Sequence, residues 1–527
     1  MSCTICAERN FPSLRPSMEE PTSLFATGCG LTGWNIVVIN IAGLFVLMAL
    51  SYYRGETRKL RHIPTVGPTT PILSYIGAFR FIFDASNVIR EHIEKVPNSM
   101  FKVADVFRWQ VVIHDPKLIE EVKMLPDGIL SSFDAQNESL QTWYSLGRHI
   151  VTNPYHLPIV RTQLTRALPQ LVPAVHEEVV DAFDDFIPAT DGWTSVKALE
   201  TMMKIVARAS NRIFVGAPLC RDPDYIDLVV QHAVDVVRVG TTLRLVPSVL
   251  RPLLNAMISH VPRGVARGMK HLAPVFAARR KCHQEKGDAD SEKSLDFLSW
   301  LMEVAQGEER TDWHLTSRLL MMNWVAVHTS TMTFTHALYY LAAYPEYLKP
   351  LREEVEEVVK RHGWSKVALD EMHRVDSFIK ESQRLDPLAV LLVNRVVLKD
   401  HVFSDGTLLP KGTFLSVATP KTHLNAQTYE DPLRFDGLRY AKMRERALGQ
   451  TLCSNPDVGG GSKRKFDMVT TSVDSLAFGL GRHACPGRFF ATCELKIMLA
   501  HVVVKYDIRL QNEGVRPANR WYATAFP

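Results

Sequence analysis

Charge of one sign is not in excess in this chain of 527 residues: 61 basic side chains face 56 acidic ones, a net charge of +5. No basic stripe interleaved with aromatic residues occurs, so neither the balance nor its distribution points to nucleic acid. So mild a charge remains compatible with a local basic face for an acidic protein partner. Cysteine is scarce. Its eight occurrences, Cys3, Cys6, Cys29, Cys220, Cys282, Cys453, Cys485 and Cys493, are scattered. That excludes the dense disulfide framework of a small secreted domain and favours a reducing compartment for the main body. Cys3 and Cys6 are spaced C-x-x-C, but no second pair and no zinc-spaced histidines accompany them, which argues against a metal site there. From Thr69 onward there is no internal repeat and no low-complexity linker, so the chain reads as one large body. The run Gly459-Gly460-Gly461 lacks the strand-turn-helix setting of a dinucleotide loop, so no flavin or nicotinamide fingerprint is visible.

Long apolar runs are confined to one place. Leu31 to Tyr53 carries no charged residue and is long enough to cross a bilayer as a helix, with Trp34 at one end and Tyr52 and Tyr53 at the other as interfacial aromatics. A signal peptide would start earlier, carry a basic start and have a shorter apolar region. A buried core helix would carry a polar stripe. Arg54, Arg58, Lys59 and Arg61 follow the run, against Glu56, whereas the preceding tail of Glu8, Arg9, Arg15, Glu19 and Glu20 is slightly acidic. The positive-inside rule then orients the chain: residues 1–30 as a lumenal tail, 31–53 as a transmembrane anchor, and everything from 54 onward in the cytosol. Residues 54–68, ending in Ile63-Pro64-Thr65-Val66-Gly67-Pro68, read as a stiff linker holding a catalytic body, 69–527, off the membrane.

Within that body helical periodicity dominates. Helices are expected over Ser86 to Glu94, Pro116 to Met124, Asn153 to Leu168, Pro173 to Phe186, Leu315 to Tyr344, Pro345 to His362 and Phe489 to Val504. Strand-like pieces cluster at a probable hairpin, Met100 to Ile113, and between Asn394 and Val417, where turns such as Ser404-Asp405-Gly406 and Pro410-Lys411-Gly412 punctuate short apolar runs. Leu438 to Ser475 has weak periodicity and reads as a meander or loop. The fold class is mainly α with a minor β-sheet portion. With 46% hydrophobic residues, its core is large enough to bury a sizeable prosthetic group.

The chemically pointed segment is Phe478-Gly479-Leu480-Gly481-Arg482-His483-Ala484-Cys485-Pro486-Gly487, set before an apolar helical pattern. Glycines let the backbone turn tightly and bring amide N–H groups to a sulfur. Those donors and the following helix N-terminus favour thiolate over thiol. A lone buried cysteine beside a loop would be an inert core residue, but the whole ten-residue string is far more specific. It resembles the haem-binding loop of cytochromes P-450, closest to fungal microsomal members, with Phe-Ile-Lys-Glu-Ser-Gln-Arg-Leu (378–385) and Arg488-Phe489-Phe490-Ala491 adding to the likeness. The resemblance runs from about Ile63 to the C-terminus.

Several expectations follow from that resemblance. The fold is the P-450 fold preceded by one transmembrane helix. Haem b is the cofactor, with iron held by Cys485, whose thiolate pushes electron density toward bound oxygen and favours O–O cleavage. Phe478, Gly479, Gly481 and Gly487 shape the loop beneath the haem, and His483 stands where relatives often carry an arginine to a propionate. Arg395 is a second propionate contact. Arg161 is a third, in a segment where Leu157 replaces the family's tryptophan, with His156 as an alternative. Glu381-Ser382-Gln383-Arg384 is the family's E-x-x-R, and the segment ending Arg434-Phe435 its P-x-R-F, so Glu381, Arg384 and Arg434 are expected to form a buried ion network. The oxygen-activating helix departs from the usual pattern: aligned on Thr329, Ala326 takes the glycine position and His328 that of the acid, as in many fungal members. Thr329 is then the hydroxyl that hydrogen-bonds oxygen and relays protons, with His328 as the neighbouring shuttle.

What the resemblance implies about function is a membrane-bound monooxygenase of the endoplasmic reticulum that inserts one atom of O2 into a hydrophobic small molecule, a terpenoid by analogy. NADPH electrons arrive through a flavoprotein reductase, with Arg482, Arg488 and Lys496 as docking charges. Substrate-lining segments are Ser131 to Ile150, part of Tyr225 to Val265, Trp324 to Thr329, Leu388 to Asn394 and Ala523 to Phe526. Two other classes stay open: a haem-thiolate isomerase, dehydratase or peroxide-driven enzyme needing no reductase, and a non-catalytic haem-binding membrane protein. Reductase-dependent turnover separates the first, and a substrate-induced spectral change the second.

Overall fold

A computed structural model of the chain describes residues 2–5, 43, 55, 57–70, 73–96, 99–188, 190–290, 295–454 and 464–519. It opens with β1 (Ser2–Ile5), α1 (Ser74–Lys95), β2 (Met100–Ala104), β3 (Trp109–Ile113) and α2 (Pro116–Met124). Next come β4 (Leu130–Ser131), α3 (Ser132–Leu140), α4 (Thr165–Phe186) and β5 (Trp193–Val196). The middle is helical: α5 (Ala198–Phe214), α6 (Pro223–Arg244), α7 (Arg251–Ile258), α8 (Val261–Asp290), α9 (Asp312–Ala343), α10 (Leu348–His362) and α11 (His373–Leu385). Then follow β6 (Leu391–Val397), β7 (His401–Val402), β8 (Leu408–Leu409), β9 (Phe414–Ala418), α12 (Arg439–Ser454), α13 (Arg488–Lys505) and β10 (Asp507–Leu510). The chain is mainly helical with a small sheet portion, as the periodicity indicates.

Local chemistry sets several boundaries. The Asp115 carboxylate accepts the Lys117 N–H at 2.8 Å and Pro116 takes the first helical position, so α2 begins where the sequence places it. The two helices expected over Asn153 to Leu168 and Pro173 to Phe186 are one rod: a turn at His156–Ile159, a π-helical turn at Val160–Leu164, then α4. The segment from Leu438, expected as a meander, contains α12, so weak periodicity hid a helix there.

Five strands form the main sheet in the order β2-β3-β9-β6-β4, antiparallel except where β3 runs parallel to β9. Strands β2, β3 and β9 are buried on both faces. Phe101, Val103 and Val112 pack on one side with Phe81, Ala85 and Ile89 of α1, while Met100, Val111 and Ile113 pack on the other with Leu118, Ile119 and Val122 of α2. Adjacent residues thus serve opposite cores, as the two-residue period of a strand dictates.

Residues 57–68 are bonded to this sheet. The Trp109 indole donates to Thr57 Oγ1 at 2.7 Å, the Lys102 ammonium to the Leu60 carbonyl, and the Lys102 N–H to the Pro64 carbonyl at 2.9 Å. Leu60 and Ile63 are buried among Val111 and Ile113. The expected anchor 31–53 lies outside the described residues except for Gly43, and among the described residues no helix is long and apolar enough to cross a membrane. The expected tail 1–30 also lies outside them apart from β1, which runs parallel between β5 and β10.

At the centre lies α9. Its 32 residues span about 48 Å, and α5, α6, α8, α11 and α13 pack around it. Being apolar on nearly every side, it is sheathed along most of its length. The places where it is not sheathed define the site.

Candidate active site

The cysteine loop is shaped by two residues with left-handed backbone, Gly479 (φ +74°) and Gly481 (φ +63°). A Cβ on Gly481 would stand 2.9 Å from Lys123 Cγ and 3.3 Å from its carbonyl oxygen, so glycine is required there by both conformation and space. The Cys485 N–H donates to the Phe478 carbonyl at 2.8 Å and the Ala484 N–H to that of Gly481 at 3.0 Å, closing the loop on itself. Gly487 caps α13, and the N–H groups of Gly487 and Arg488 point at the Cys485 sulfur. Burial nevertheless pushes the thiol above its ordinary pKa, and those donors with the Arg488 charge only temper the rise. The amide donors thus act in the expected direction, toward thiolate, and burial acts against them.

Two neighbouring turns of α9 are open in an otherwise covered helix. Val325 is 40% exposed and Thr329 is exposed as well, while Val327 and Ser330 between and beside them are buried. Residues four apart share a face, so Val325 and Thr329 lie on one exposed stripe of α9. Thr329 Oγ1 donates to the Val325 carbonyl at 2.9 Å, which turns its proton back into the helix and leaves the oxygen free to accept. His328 is half-buried, and burial lowers its pKa, which keeps the ring neutral at pH 7. One residue further, Ser330 lies against the fully buried Glu494 of α13, to which Ser210 donates at 2.6 Å. Burial raises the Glu494 pKa to about 7, against those two hydroxyls, which favour its charged form.

A basic rim gathers at the loop. Arg395 is buried and bonds the Asn394 carbonyl at 2.8 Å, with no ion pair of its own among the described residues; burial, opposed by Asp127 and reinforced by Arg482, lowers its pKa to about 10. Arg161 is exposed and donates to the Arg482 carbonyl at 3.2 Å. A buried guanidinium without a carboxylate is costly, so Arg395, with Arg161 beside the loop, fits a group that brings its own carboxylates to a cysteine sulfur. Haem b is such a group.

Other expected contacts differ. His483 bonds Asp127 Oδ1 at 2.6 Å, so its nearest carboxylate comes from the protein; burial lowers its pKa, against that bond. His156 turns to the buried Arg318 (2.9 Å), leaving Arg161 as the candidate on that segment. The ion network forms with a change of member. Arg384 meets Glu381 through two bonds of 2.8 Å, but the third arginine is Arg439, whose Nε lies 3.0 Å from Glu381 Oε1. Arg434 is exposed, and only its carbonyl joins, accepting from Arg439 at 2.9 Å. Arg434 sits in a turn after Pro432, whereas Arg439 opens α12 and points inward. The sequence offers two arginines five apart and nothing to choose between them. Lys496 is buried against Asp376 (3.3 Å) and is no docking charge; Arg482 is tied to the Leu125 carbonyl. Ala523 to Phe526 lie outside the described residues. Sequence reasoning missed Asp127, Arg439 and Glu494; the last, a carboxylate in an otherwise apolar helix, was the one legible signal.

The family model described as Cytochrome P450 matches residues 64–524. Cytochrome P450 monooxygenase 151 of Postia placenta is 39% identical over 93% of this chain and 96% of its own length. Cytochrome P450 monooxygenase CYP512U6 of Ganoderma lucidum is 34% identical over 91% and 92%. Ent-kaurene oxidase of Gibberella intermedia is 31% identical over 85% and 84%. The chain belongs to the cytochrome P450 family, among its fungal members. It is a P450 monooxygenase, and its cofactor is haem b with an axial cysteine thiolate.

Proposed function

We propose that Cys485 supplies that thiolate and that the enzyme hydroxylates a terpenoid or other hydrophobic secondary metabolite. Bound haem supplies the activation of O2, one atom of which enters the substrate while the other leaves as water. NADPH electrons come through a membrane flavoprotein reductase. The observation that carries this reading is the exposed stripe of α9 at Val325 and Thr329, an apolar side chain and a hydroxyl one turn apart. Thr329 holds a proton-accepting oxygen there, the neutral His328 ring stands ready to pass a proton, and Glu494 behind Ser330 stores one near neutral pH. Arg395 and Arg161 hold the haem carboxylates. The name of the ent-kaurene oxidase relative favours a terpenoid.

The membrane assignment rests on the run 31–53 and on two apolar helix faces. Ile76, Phe79 and Phe83 of α1 are 64%, 66% and 58% exposed at helical spacing, and Leu253 and Met257 of α7 are 64% and 74% exposed. Such faces suit partial immersion in a bilayer, with the catalytic body on the cytosolic face of the endoplasmic reticulum. Microsomes carrying the enzyme and a reductase, given NADPH, isotopically heavy O2 and a panel of diterpenes and triterpenes, test the reading. One heavy oxygen in a product, dependent on both NADPH and reductase, is expected. Label from water, or turnover without reductase, overturns it.

A further inference from the structure

A cavity of ≈ 290 Å³ opens at the N-terminal end of α9, between the segment after α3, the α7–α8 region and the first turns of α9. Tyr144, His149, Asn255, Ser259, Trp313 and Ser317 are among its walls. Its size approaches that of a small-molecule site, and a few polar side chains interrupt a mostly apolar lining. Two lining atoms, His149 Nε2 and Asn255 Oδ1, are buried and have no hydrogen-bond partner. Buried polar atoms are nearly always paired, so two orphans in one cavity mark a place where a partner arrives from outside.

The character of the orphans narrows that partner. The His149 ring packs on that of His314 at a tilt of 31°, with centroids 4.4 Å apart. Burial and the charges of His314 and Arg318, against that of Glu309, hold its pKa near 4, so at pH 7 it is a neutral imidazole. Asn255 Oδ1 accepts only. A carboxylate or ketone has no proton to give it, whereas a hydroxyl donates to an amide oxygen and exchanges a hydrogen bond with a neutral imidazole.

The cavity and the proposed reaction centre share α9 as a wall. On α9, Trp324 and His328 fall within about 20° of the direction of Ser317, and Thr329 lies about 18 Å along the axis from Ser317 and about 120° around it, so a molecule joining the two crosses the helix obliquely. Trp324 carries a third buried, unpartnered atom, its indole N–H. A molecule reaching from Ser317 to Thr329 has the length of a sterol with its side chain, longer than a compact diterpene.

We propose that this cavity is a hydroxyl-recognising subsite formed by His149 and Asn255, and that the substrate is an already hydroxylated polycyclic lipid of triterpenoid or sterol length. The inference rests on the monooxygenase reading above and names its substrate class. The reaction that supplies this substrate must itself install an alcohol on the hydrocarbon skeleton.

Cholestanol and cholestane, which differ by one hydroxyl, are the probes. Each is titrated into the haem-loaded enzyme in detergent and followed by the shift of the haem absorption. Cholestanol is expected to bind about tenfold or more tightly than cholestane. His149→Phe and Asn255→Leu should each shrink that preference while changing cholestane affinity little, and His149→Gln should retain part of it. Asn255 lies on the exposed helix α7, so its variant keeps the test open should His149→Phe misfold. Equal affinity for the two probes, meaning that water alone fills the site, overturns the inference. So does a preference that neither variant alters, or binding of neither probe. If any of these occurs while the reduced enzyme still gives the thiolate-type carbon monoxide spectrum, the subsite fails and the monooxygenase assignment stands.

Discussion

Replacing Arg439 by methionine is expected to destabilise the protein far more than the same change at Arg434. Glu381 is fully buried and its two oxygens receive four donors: Arg384 Nε and Nη2 at 2.8 Å, Arg439 Nε at 3.0 Å and the Asp436 N–H at 3.1 Å. That number saturates a carboxylate. Arg439 is buried, and it also donates to the carbonyls of Glu430 and Arg434. Its loss removes one of two positive charges from a carboxylate that water cannot reach and leaves carbonyls unpaired. Breaking a buried pair in this way costs about 3–5 kcal/mol. Arg434 projects into solvent, and its carbonyl remains after substitution, so Arg434→Met should fall within about 0.5 kcal/mol of wild type. The assay is the urea midpoint for loss of the haem absorption band, with the two variants and wild type side by side. A wild-type midpoint for Arg439→Met, or an equal loss for Arg434→Met, would refute the assignment of the third member and return it to Arg434.

Thr329→Ala should retain haem and consume NADPH but lower product formed per NADPH by at least about tenfold, with peroxide appearing instead; unchanged coupling removes Thr329 from proton delivery. Glu494 gives a pH signature. Its folded pKa, near 7, lies above the ordinary 4.5, so the folded state binds the extra proton between those values and stability from this group falls as pH rises through the window. Glu494→Gln should therefore gain stability relative to wild type from pH 4.5 to 7, and a flat or opposite difference in urea midpoints contradicts the buried, protonated carboxyl. His156 and His423 act the other way. Their folded pKa values, about 3 and about 4, lie below the ordinary 6.5, so the stability they lend is complete above 6.5 and is lost as pH falls toward 4. Finally, a lumenal tail and the sheet position of Ser2–Ile5 exclude each other across a spanning anchor. An acceptor sequon engineered between residues 10 and 25 should be glycosylated in microsomes, and its absence under conditions that modify a lumenal control would favour the sheet.

Much of this was legible in the sequence because the controlling interactions are local. The ten-residue loop around Cys485 carries its own turn glycines, the E-x-x-R pair needs only a three-residue helical step, and α2 carries its cap and its proline in adjacent positions. What was hidden depends on partners far away in the chain. Nothing near His483 announces that Asp127, from the turn after α2, will reach it. The choice between Arg434 and Arg439 is made by where α12 begins, and that helix shows little periodicity because its inner face is filled by Arg439, Tyr440 and Ala441 against Glu381 and Ser377. Residues 57–68 looked like a spacer because proline and glycine break helices; the Lys102 and Trp109 contacts that bind them come from a different part of the sequence.

The central claim is that Cys485 holds the iron of the haem, and the most direct measurement is the difference spectrum of reduced, carbon monoxide-bound enzyme in microsomes, for wild type and Cys485→Ser. The account predicts a strongly red-shifted Soret band for wild type and its loss in the serine variant. A band at the position of histidine-ligated haem in wild type, or a red-shifted band that survives in Cys485→Ser, would contradict it.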